Sequence, residues 1–176
     1  MGMVWIARLV DDQEEARLRA DPDELGDFIA GEDLDWSAAP PQPNGSHNPD
    51  RPFDVDKQWH AIHYLLTGSP DPVAGPLGII MGEFEDVGEA QGYAPAWFIS
   101  PEAIKASHEA LQALRDEELR ERYDPAAMVR DQVYLAEALA KEGDEGLGFL
   151  LEDLQRLRAF VRAGAERSQG AFAFVT

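Results

Sequence analysis

The chain has 176 residues, 34 acidic against 15 basic side chains and a formal net charge of −19, while a 44% hydrophobic share is enough for a core and argues against wholesale disorder. So negative a surface is unsuited to nucleic-acid phosphates and to an anionic membrane. The absence of cysteine excludes disulfides, thiolate metal sites, iron–sulfur clusters and cysteine nucleophiles.

Residues 3–10 read as an interior strand. Met3, Trp5, Ala7 and Leu9 fall on one face, and Val4, Ile6 and Val10 on the other, interrupted by Arg8. No basic leader precedes this run, and it is too short to span a bilayer, so a cytoplasmic protein is expected. Asp11 with Glu14, and Asp21-Pro22-Asp23-Glu24, look like helix starts, giving two short helices over about 11–20 and 21–30. Eleven acids and two arginines, Arg17 and Arg19, lie between Asp11 and Asp35. Such a run is either a solvated helical face or a docking face for a basic partner.

Residues 37–52 are proline-rich and read as a mobile loop within one domain spanning 1–176; His47 lies there and is given no role. Asp54 is placed to cap a helix over about 55–67, ended by Gly68 in the left-handed conformation. A Pro/Gly loop, a short strand at 77–81 and an acidic loop at 83–89 follow, then a strand at 96–99. Ser100-Pro101-Glu102 starts a helix with Ile104, His108, Leu111 and Leu114 inside. Asp116 and Asp124-Pro125 begin further helices, and 143–146 is a break. Leu147, Leu150, Leu151, Leu154, Leu157 and Val161 then repeat at helical spacing, as a core-facing stripe does. The tail Ala171-Phe172-Ala173-Phe174-Val175 is a second wholly apolar run. Two such runs at opposite ends need shared cover. The expected fold is therefore α+β: a helix-rich single domain with a small mixed sheet containing both terminal strands.

Phosphate-loop, nucleophile-elbow and His-Glu-x-x-His patterns are all absent from the sequence. The one polar constellation lies in Asp54-Val55-Asp56-Lys57-Gln58-Trp59-His60-Ala61-Ile62-His63-Tyr64-Leu65-Leu66-Thr67-Gly68. On one continuous helix Asp56, His60, His63 and Thr67 would stack in a row, beside an apolar row of Val55, Trp59, Ile62 and Leu66. Two imidazoles a turn apart, with a carboxylate before them, can move a proton or take part in a metal site. They can equally be core histidines bonded to nearby backbone, or one wall of a small polar pocket flanked by Trp59 and Tyr64. No cofactor or metal is expected, because metal sites need three or four converging ligands.

The same segment resembles the signature of the YfbM-like family of bacterial proteins of unknown function. The opening Met-Gly-Met before an apolar strand is similar. So is Gly92-Tyr93-Ala94-Pro95-Ala96-Trp97-Phe98-Ile99-Ser100-Pro101-Glu102, although Ala94 replaces a family glycine and Trp97 a frequent arginine. Leu157-Arg158-Ala159-Phe160 and the final strand match in order. The resemblance implies a compact α+β domain and supplies no catalytic residue.

Two functions follow as expectations. One is an acidic, non-catalytic binding module for a basic protein partner, motivated by the charge. The other is a small-molecule-binding protein or enzyme, with Asp56, Lys57, Trp59, His60, His63, Thr67 and Tyr93 as candidate pocket residues.

Overall fold

The two-faced run near the start of the chain becomes an interior strand in the computed structural model, which describes residues 2–35, 46–90 and 93–176. β1 (Trp5–Val10) lies between β2 (Phe53–Asp54) and β5 (Gly170–Val175); β4 (Pro95–Ile99) and β3 (Glu85–Ala90) complete a five-stranded sheet of order β2-β1-β5-β4-β3. The first and last strands are therefore neighbours, paired from Trp5↔Val175 to Val10↔Gly170. The fold is α+β and rich in helix, with both terminal strands in its one sheet. That sheet is antiparallel throughout rather than mixed. A parallel neighbour needs a single crossover pass. Here two long helices, α4 (Pro101–Ala113) and α8 (Asp144–Arg167), separate β4 from β5, and two passes bring the chain back antiparallel.

Strand alternation sorts the side chains to two cores. Trp5, Ala7, Leu9, Ala171, Ala173 and Val175 face the larger one, built with α3 (Trp59–Thr67), α4 and α8. Val10, Val87, Ala96, Phe172 and Phe174 face a smaller one closed by Leu18 of α1 (Asp12–Ala20) and by Leu25, Phe28 and Ile29 of α2 (Leu25–Ala30). Arg8, which interrupts the apolar pattern, points into this smaller core. Its guanidinium lies 4.0 Å from the Phe28 ring centroid and donates to the Phe28 carbonyl at 2.8 Å and to Asp33 at 2.6 Å. A buried cation is thus paired with a carboxylate and hydrogen-bonded, as its desolvation requires.

Side-chain caps account for three helix starts. Asp11 accepts from the Glu14 amide at 2.8 Å, and Glu14 reaches back to the Asp11 amide at 3.1 Å, a reciprocal cap on α1. Asp21 makes no such bond; a 3₁₀ turn at Pro22–Glu24 precedes α2. Ser100 caps α4 through the Ala103 amide at 3.2 Å. α5 (Asp116–Arg122) and α6 (Pro125–Arg130) follow, the latter capped by Asp124. A separate α7 (Ala136–Glu142) comes next, because Gln132 and Leu135 turn the chain with positive φ. The break at 143–146 narrows to Gly143 (φ 57°), and α8 begins at once with its leucine stripe buried. From α8, Arg158 donates to the Leu111 carbonyl at 3.0 Å and the Leu114 carbonyl at 2.7 Å, satisfying the open end of α4.

Two expected elements differ. Residues 77–81 form no strand; a 3₁₀ turn occupies Pro76–Gly78, and Gly78 is packed so tightly on the Val73 carbonyl that no Cβ fits. The acidic stretch at 83–89, expected as a loop, contains edge strand β3. Val87 is its one buried side chain, so alternation has almost nothing apolar to display. Of the proline-rich loop expected at 37–52, residues 37–45 lie outside the described residues. His47, by contrast, is inserted between aromatic rings, 5.6 Å from Phe53 and 5.2 Å from Phe160.

Among the described residues, no helix is long and apolar enough to cross a membrane.

Candidate functional site

The constellation at 54–68 does not form one continuous helix. Asp54 accepts from the Asp56 amide at 3.0 Å, and this side-chain turn leads into a 3₁₀ segment at Asp56–Gln58 with Asp56 at φ 46°. α3 starts only at Trp59. Asp56 and Lys57 are therefore exposed and precede the helix, while His60, His63 and Thr67 remain on it. The row of four is broken between Asp56 and His60.

Backbone takes up the two imidazoles. His60 Nδ1 accepts from the Tyr134 amide at 3.0 Å, which fixes the proton on Nε2; that nitrogen donates to the Pro70 carbonyl at 2.8 Å. Both ring nitrogens are engaged. His63 is fully buried, its Nε2 2.8 Å from the Asp71 carbonyl, and its Nδ1 is buried with no partner. Burial is the main cause holding its pKa below the usual imidazole value; the Asp71 carbonyl opposes this and the neighbouring His60 adds to it. Thr67 donates to the His63 carbonyl at 2.8 Å. These contacts tie the 69–71 loop and the segment before α7 to α3. Among the described residues, no three His, Asp or Glu side chains are grouped closely enough to hold a metal ion.

Trp59 gathers a different cluster. Its Nε1 donates to the Met3 carbonyl at 3.2 Å, and its ring stacks on His60 at 5.0 Å and on Tyr134 at 6.3 Å. The Met3 amide in turn donates to the Tyr134 hydroxyl at 3.1 Å. Gly2 is wedged beneath: a Cβ there would lie 2.7 Å from that hydroxyl and 2.8 Å from Lys57 Cε. The Met-Gly-Met opening and the α3 segment are thus two sides of one contact.

A third sequence element meets them. Trp59, Phe84 and Trp97 line a cleft of about 310 Å³ with Met81, Pro95 and Asp86. Asp86 sits opposite Trp97 in the β3–β4 register and is exposed. Phe84 is held by Gly82, where a Cβ would come within 2.6 Å of the ring. Tyr93 is 66% exposed beside Ala94 at this rim, its amide donating to the Val175 carbonyl at 3.1 Å. Of the candidate residues, the structure brings Trp59 and the neighbours of Tyr93 into one cleft. His60 and His63 bond to backbone away from its wall, Asp56 and Lys57 lie ahead of the helix, and Thr67 opens on a separate cleft of about 840 Å³ with Tyr64 and Arg122. Phe84 was not legible as a site residue, and Asp86 only as one of the acids at 83, 85, 86 and 89 that could approach the α3 site, because an acidic segment with one phenylalanine carries no periodic signal. Trp97 stood out only as a departure from the family pattern.

A comparison with functionally curated proteins finds no match. Among solved structures, the fold is similar to that of YfbM from Escherichia coli, a protein of unknown function: 19% identity, a TM-score of 0.69, and 99% of each chain covered. At that identity the likeness speaks for the fold alone. The family model for a domain of unknown function, DUF1877, matches residues 1–174, and the chain belongs to that family.

Proposed function

We propose that this protein is a non-catalytic binding module whose acidic α1–α2 face takes a basic protein partner. One observation carries this reading: the two arginines of α1, and Arg8 beneath them in β1, are already paired with carboxylates. Arg8 is bound to Asp33, Arg17 to Glu24, and Arg19 to Glu15 at 2.8 Å and Glu85 at 3.0 Å. Asp12, Asp21, Asp23, Asp27 and Glu32 are exposed and have no cationic partner among the described residues. Uncompensated charge of one sign steers and selects an oppositely charged partner. The imidazoles of α3 favour the same side, since both hold backbone and neither is left as an exposed proton carrier.

The test is capture from source-cell lysate by the native protein and by a variant with Asp12, Asp23, Asp27 and Glu32 changed to their amides. A discrete basic protein retained by the native chain, lost by the variant, and bound more slowly as salt rises supports the reading. Equal retention by both contradicts it.

A second reading, a small-molecule site beside α3, is favoured by the aromatic cleft at Trp59, Phe84 and Trp97.

A further inference from the structure

We infer that the cleft between α3 and the β3–β4 edge is a binding site for a small alkylated ammonium compound. The inference rests on the second reading above and is independent of the acidic-face reading. Three features converge on this ligand chemistry. Trp59, Phe84 and Trp97 give the cleft aromatic walls, and aromatic faces attract a diffuse cation through the ring quadrupole. Asp86 is the one charged residue in its lining, and no hydrogen bond or ion pair engages that carboxylate among the described residues. No lysine or arginine lines it.

Charge and shape then narrow the ligand. A metal ion needs several oxygen or nitrogen donors, and this cleft offers one carboxylate. An anion meets Asp86 and a chain of net charge −19. A neutral apolar molecule leaves the carboxylate unused. An ammonium whose substituents are methyl or alkyl groups places carbon on the rings and positive charge toward Asp86. The volume, about 310 Å³, is at the small end of ligand sites, which suits a compact cation. The site is also rigid where it matters. Gly82 seats Phe84, Trp59 is clamped between the Met3 carbonyl and the His60 ring, and Trp97 is fixed by pairing on both sides of β4.

The probe is choline, titrated by calorimetry and by quenching of tryptophan fluorescence, against its neutral isostere in which carbon replaces nitrogen. Saturable binding of choline, at least about tenfold tighter than the isostere, is the expected result. Asp86→Asn, a change on an exposed edge strand, should weaken choline by about tenfold and leave the isostere unaffected. Phe84→Leu keeps an apolar side chain but removes the ring and should also weaken choline selectively, with an unchanged thermal midpoint confirming the fold. The acid-to-amide variant of α1 and α2 should bind choline as the native chain does. Equal binding of choline and isostere would leave a small-molecule cleft and overturn the cation; choline binding unchanged by Asp86→Asn would overturn it too. No saturable binding of either up to about 100 mM would overturn both the inference and the second reading.

Discussion

His47 makes this domain acid-sensitive. Its ring lies edge-on to Phe53 and Phe160, and its Nε2 is buried without a partner. Burial, aided by Arg156 and opposed by a backbone bond at Arg51, lowers its pKa from 6.5 to about 4. The unfolded chain therefore binds the proton first. Between those two values unfolding takes up a proton, so stability falls as pH falls, and the contribution is whole only above the unfolded value. The full shift corresponds to about 3.4 kcal/mol at 1.36 kcal/mol per unit; screening at a residue that is only partly buried reduces this to about 2 kcal/mol. His47→Phe keeps the aromatic packing and removes the titration. Urea unfolding of both proteins between about pH 7.5 and pH 4.5 isolates the effect, since carboxylates common to both cancel in the difference. The native chain should lose about 2 kcal/mol more than the variant over that interval. Parallel loss in the two proteins would instead place His47 in solvent.

Leu150 and Leu154 are fully buried in α8, and either Leu→Ala change should cost about 2–5 kcal/mol in denaturant unfolding; a loss below about 1 kcal/mol would mean the stripe is not core. His60→Ala strips the acceptor from the Tyr134 amide and the donor from the Pro70 carbonyl, so a loss of about 2–4 kcal/mol is expected by the same assay. Arg158→Ala leaves the Leu111 carbonyl of α4 and the Leu114 carbonyl just beyond it without their donor, and takes one of two donors from Asp116; it should cost about 1–3 kcal/mol, with faster amide exchange at the end of α4. Gly82→Ala brings a Cβ to 2.6 Å from the Phe84 ring and 2.9 Å from the Gly78 carbonyl, so it should both abolish choline quenching and lower the thermal midpoint.

The sequence made legible those parts of the fold that local rules govern. The apolar runs at 3–10 and 171–175 become adjacent strands because buried faces at both ends need one sheet. Asp11, Ser100 and Asp124 act at the helix starts where their spacing puts them. What failed was set mostly by distant partners, and in one place by a local turn. β3 is a strand because β4 pairs with it, not because its own residues alternate apolar and polar. α3 begins late because Asp54 bonds the Asp56 amide and holds the chain in a turn. His47 lies in a proline-rich stretch whose composition says loop, and only the closure of Phe53 onto Phe160, 4.8 Å apart, explains why its ring is inside. In the candidate site, the stretch around Trp59 and the one around Trp97 were each visible separately. Their meeting, and the completion of the wall by Phe84 and Asp86, depends on the register of β3 against β4.

The claim that recognition lies on the acidic face is tested most directly by amide hydrogen exchange of the native protein with and without its captured partner. Slowed exchange across Asp12–Ala20 and Leu25–Ala30, with α3 unaltered, is the predicted result. Slowing confined to α3 and the cleft, with α1 and α2 exchanging as in the free protein, would contradict it.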